Sequence, residues 1–116
     1  MITVEFRKDG KKLSLRMKGH ADPTAEEGKD IICASASMLA YTAAQTLQFL
    51  YADGGLKRKP ITEIGKGDAR IEAIPTDGSY AEALHTFFVI QVGFHLLAHN
   101  YPQYVELISF GESEGT

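Results

Sequence analysis

The sequence predicts an α+β sandwich: two hairpins and a final strand forming a sheet packed with two helices. Three observations carry this. Two pairs of short segments look like strands, and each pair is joined by a glycine-containing turn. Each pair is followed by a long run able to form a helix. The resulting order is strand, strand, helix, repeated, and then a last strand. Hairpins interleaved with helices favour an α+β arrangement over a parallel α/β sheet.

Residues 2–7 set Ile2, Val4 and Phe6 on one face and Thr3, Glu5 and Arg7 on the other, the alternation of a half-buried strand. Asp9-Gly10 marks a turn, because glycine takes positive φ cheaply. Leu13, Leu15 and Met17 alternate with Ser14, Arg16 and Lys18, which completes a hairpin. Residues 21–29 lose periodicity and carry Pro23 and Gly28, so they read as a polar loop. A helix is expected from Asp30, a good N-cap, to about Ala52, ending at Asp53-Gly54-Gly55. It is apolar nearly all round, which implies burial on more than one side and leaves room for a second subunit. Ile61–Ile64 and Ala69–Ile74 form the second hairpin around Gly65-Lys66-Gly67-Asp68. Pro75 ends it. Asp77-Gly78-Ser79 leads into a second helix, where Ala81, Leu84, Phe88, Val92 and Leu96 follow helical spacing up to Asn100. Tyr104–Phe110 is a β-rich run.

The chain has 116 residues, enough for one hydrophobic core. Residues 1–110 are expected to be a single domain and 111–116 a flexible tail. With 44% hydrophobic and 23% charged residues the composition is ordinary for a globular protein. No apolar run suggests a membrane span, and the alternating N-terminus is unlike a signal peptide, so a cytoplasmic location is expected. A net charge of -3 argues against direct binding to nucleic acid, which needs a basic face. The single cysteine cannot form an internal disulfide and fits a reducing compartment.

That cysteine, Cys33, stands in the first turn of the first predicted helix. His20 stands at the end of the second strand, across the polar loop. A helix N-terminus offers free backbone N–H groups and partial positive charge, which favour thiolate over thiol. Imidazole can take the thiol proton and return it to a leaving amine. The free N–H groups can also bind an oxyanion. Taken alone, Cys33 within Ile31-Ile32-Cys33-Ala34 fits a small buried hydrophobe better than a nucleophile. Asp30 alone is an N-cap. Ser37, one turn beyond Cys33, alone is a serine bonded back to its own helix. His95 and His99 have metal-chelating spacing, but no acidic, cysteine or further histidine partner adjoins them, so structural or interfacial roles are favoured over zinc. Gly65-Lys66-Gly67 lacks the full phosphate-loop spacing and reads as a turn. Lys57-Arg58-Lys59 reads as a solvated connector.

Together, Gly19-His20-Ala21, the loop, Gly28-x-Asp30-Ile31-Ile32-Cys33-Ala34 and Ser37 resemble the signature of the ribosomal-processing cysteine proteases, the Prp family. The resemblance covers essentially the whole chain and shifts the weight on Cys33 toward a nucleophile. It implies a homodimeric cysteine endopeptidase with Cys33 as nucleophile and His20 as general base. Asp30 and Ser37 match positions that support the family's site. It implies removal of an N-terminal extension from a large-subunit ribosomal protein, cut after an aromatic residue, with no metal or organic cofactor. Residues 21–29 match the family's mobile loop. One departure is Cys33-Ala34-Ser35-Ala36-Ser37, where the family has Cys-Ala-Ala-Val/Ile-Ser; the smaller Ala36 bears on substrate preference rather than on the catalytic groups. The rival readings are a non-catalytic ribosome-assembly or docking protein with a buried Cys33, and a thiol redox sensor.

Overall fold

The computed structural model describes residues 1–19, 29–65 and 67–109, and for Lys29 and Asp30 only the backbone. Its strands are β1 (Ile2–Asp9), β2 (Lys12–Lys18), β3 (Ile61–Gly65), β4 (Asp68–Ala73) and β5 (Val105–Ile108). The helices are α1 (Lys29–Ala52) and α2 (Tyr80–Asn100), the second entered through a short 3₁₀ turn at Asp77–Ser79. The predicted element order is the observed one. The sheet runs β3-β4-β2-β1-β5. All neighbours are antiparallel except β5, which lies parallel to β1 and pairs Ile2 with Val105.

Strand alternation puts Ile2, Val4 and Phe6 of β1, Leu13, Leu15 and Met17 of β2, and Ala69, Ile71 and Ala73 of β4 on one buried face. Both helices cover that face. α1 meets it largely through small residues, Ala36, Ala40, Ala43 and Ala44, with Ile32 and Leu47. α2 meets it through Phe87, Ile90, Phe94 and Leu97. Phe6 packs edge-on to Phe87 and Phe94 at centroid distances of 6.5 and 6.0 Å, an arrangement that ring quadrupoles favour. α1 stops where the glycines predict: Gly54 takes φ 81°, and the N–H groups of Gly54 and Gly55 bond to the Tyr51 and Leu50 carbonyls.

The apolar run Leu84, Phe88, Val92 and Leu96 is not the core stripe of α2. Phe88, Val92 and Leu96 point outward, and the core stripe is the neighbouring set Ala83, Phe87, Ile90, Phe94 and Leu97. α2 with its 3₁₀ turn is long and apolar enough to cross a membrane, contrary to the sequence expectation, although one side of it is buried on the sheet as in a core helix. Asp30 is inside α1 rather than its cap, since helical structure already includes Lys29. The last strand is shorter than its β-rich run. The expected loop, except Lys29, and the expected tail lie outside the described residues.

Candidate active site

Cys33 is half-buried and packs against the core from α1. The neighbours of α1 define its two flanks. Leu39 faces α2, where it lies against Gly93. Gln48 faces the sheet edge, donating from Nε2 to the Thr62 hydroxyl of β3 at 3.3 Å. At about 100° per residue, Cys33, Ser37, Ala44, Gln48 and Tyr51 fall on the Gln48 flank. Ser35 and Leu39 fall on the opposite one. The nucleophile candidate therefore overlooks the β3 side of the sheet, not the groove between the helices.

The two ends of the molecule are also distinct. The C-terminal end of α1 sits by the end of β4, where Thr76 N–H bonds to the Gly55 carbonyl and Leu56 bridges to Pro75. The start of β4 is thus toward the Cys33 end of α1. There Gly19 N–H bonds to the Gly67 carbonyl at 2.9 Å, as β2 finishes beside β4 through the Lys18–Asp68 pair. Gly19 has φ 100°, and a Cβ there would collide with the backbone carbonyl of Met1. Only glycine is comfortable in that conformation and that space. Gly19 fixes how the chain leaves β2, and its structural role was missed at the sequence level. The signal for it was its place immediately before the candidate base.

Of the four expected site residues, the structure places Cys33 and Ser37 one turn apart on the same flank. Ser37 lacks, among the described residues, the bond to its own helix that Thr42 and Thr46 make. The Asp30 backbone lies in the first turn, with its side chain outside the description. His20 lies outside the described residues. Cys33 is the fifth residue of α1, not in its first turn. In a helix starting at Lys29 its own N–H is engaged at i−4, so the free donors are those preceding it.

The other candidates are plain. Gly65 pairs with Asp68 and Gly67 takes φ 77°, which agrees with a turn between the two strands. His95 and His99 stack at 6.3 Å on the exposed side of α2, and among the described residues no three metal-ligating side chains cluster. Lys57, Arg58 and Lys59 are exposed on the connector before β3.

Residues 1–106 match the family model described as cysteine protease Prp. No curated protein matches the chain. Among solved structures, the ribosomal processing protease Prp from S. aureus in complex with a substrate peptide is similar at TM-score 0.66 and 22% identity, covering 94% of this chain and 99% of that one. SMU.848 from Streptococcus mutans is similar at TM-score 0.68 and 25% identity, covering 94% and 93%.

Proposed function

Since the chain belongs to the Prp family of cysteine proteases, we propose that it removes the N-terminal extension of a large-subunit ribosomal protein, cutting after an aromatic residue. The observation that carries this reading is a partly exposed Cys33 on the flank of α1 that faces the β3 side of the sheet, at the end of the molecule where β2 finishes and Gly19 bonds to Gly67. The S. aureus relative, named as an essential ribosomal processing protease and held with a substrate peptide, supports the substrate class. A docking protein would keep its thiol buried, and Cys33 is not buried.

In the proposed mechanism the Cys33 thiolate attacks the scissile carbonyl. His20 takes the thiol proton and passes it to the departing amine. Free N–H groups at the start of α1 hold the oxyanion. Water, deprotonated by His20, then releases the acyl group from sulfur. Ser37 and Asp30 support the site. A thiol nucleophile fits the reducing cytoplasm.

We also propose a homodimer closed by the helices. Ile31, Met38, Tyr41 and Phe49 of α1 and Phe88, Val89, Val92 and Leu96 of α2 are between 41% and 66% exposed on that layer. A groove of about 530 Å³ between the helices, lined by Met38, Leu39 and Gly93 among others, offers holes beside these knobs. Knobs and holes on one face suit a two-fold contact. Met38→Asp with Phe88→Asp is expected to give monomers in sedimentation; an unchanged dimer contradicts this interface.

The protease reading is tested with a peptide carrying the cognate extension. Wild type is expected to make a single cut after the aromatic residue, and Cys33→Ala and His20→Ala none. Cutting by Cys33→Ala overturns the mechanism. Failure of wild type to cut, with native Cys33 unlabelled by iodoacetamide, favours the docking reading. Labelling and reversible sulfenic-acid formation without cutting favour a redox sensor.

A further inference from the structure

We propose that the substrate binds as an added strand along the open edge of β3, beneath the Cys33 flank of α1. This rests on the peptidase reading and specifies how that site holds its peptide.

Among the described residues, β3 ends the sheet and pairs only with β4. A two-residue hairpin is closed by a pair that exchanges both hydrogen bonds, here Gly65 and Asp68. Alternation then turns Ile61, Glu63 and Gly65 toward β4, and leaves the N–H and C=O groups of Thr62 and Ile64 directed outward. Such a row of groups, unpaired among the described residues, is a template for an extended chain. The other edge, β5, is at the far side of the sheet and packs with α2, away from Cys33.

The helix above supplies the second half of the channel. Cys33, Ser37, Ala44, Gln48 and Tyr51 make one stripe, and the Gln48–Thr62 bond fixes the lower part of that stripe over the edge strand. From Gln48 to Cys33 the helix rises about 22 Å, whereas Thr62 to Gly65 spans about 10 Å. A peptide paired with β3 must therefore continue about 12 Å past the hairpin to reach the thiol, some three or four extended residues. Its alternate side chains would face the α1 stripe on one side. On the other they meet a polar cleft of about 510 Å³ at the end of the β3–β4 hairpin, lined by Arg16, Glu63, Asp68 and Arg70 among others.

Added strands bind through every second backbone amide, and that periodicity is the test. A series of substrate peptides, each with one backbone N-methyl group, is measured for binding to Cys33→Ala protein and for cleavage by wild type. Two or three alternate positions on one side of the cut, beginning three or four residues from it, are expected to weaken binding about 5-fold each, the worth of one backbone hydrogen bond. The positions between them should change little. Thr62→Pro, which removes an outward N–H, should raise KM several-fold at unchanged kcat, while Thr62→Val, which keeps it, should have a smaller effect. A flat or non-alternating profile with normal cleavage of the unmodified peptide overturns strand addition and leaves the protease reading standing. Absence of binding by the unmodified peptide overturns both.

Discussion

The two flanks of α1 divide the work of this small protein. Toward α2 the helix presents Ser35 and Leu39, and the contact is close enough that Gly93 opposes Leu39 without a side chain. Toward β3 it presents Cys33, Ser37, Ala44 and Gln48, with Cys33 partly exposed. One flank is packing and the other carries the proposed chemistry, on one helix anchored to the sheet by small residues. The lesson is that an apolar neighbourhood in the sequence did not bury Cys33 fully. Its angular position places it on the flank toward the β3 edge instead of where the second helix lies.

The contrast can be broken from either side. Cys33→Ala should show the largest effect, a loss of cleavage on the order of 10⁴-fold or more in kcat/KM, with the melting temperature nearly unchanged. Gly19→Ala comes next. The added methyl meets the Met1 carbonyl at positive φ, so about 1–3 kcal/mol of stability should be lost in urea titration, and cleavage should fall beyond the unfolded fraction because His20 follows directly. Gly93→Val probes the other flank. Its Cβ would stand 2.5 Å from a Leu39 methyl carbon, so crowding should cost about 1–3 kcal/mol, with kcat per folded molecule preserved. Gln48→Ala should be mildest for stability, about 1 kcal/mol or less for one half-buried hydrogen bond.

Much of this was legible in the residues. Period-two alternation placed β1, β2 and β4, and the glycines at 10, 54 and 67 marked turns or ends that the backbone uses at positive φ. The α2 core stripe was not legible, because two apolar stripes lie one residue apart on that helix and have the same period. Only the sheet beneath chooses Phe87 and Phe94 over Phe88 and Val92. The parallel pairing of β5 with β1 was equally hidden, since strand order depends on contacts distant in sequence. In the site, the spacing of Cys33 and Ser37 put them on one helical face. Nothing local in the sequence indicated that this face overlooks β3, or that Gly19 is held against Met1.

The most direct measurement of the central claim is intact-protein mass spectrometry during cleavage of the extension peptide, quenched in acid within the first turnovers. A covalent adduct with the mass of the acyl half of the peptide, mapped to Cys33 and absent from Cys33→Ala, is the predicted result. Cleavage at the same bond by Cys33→Ala at the wild-type rate, with no adduct on either protein, would contradict it.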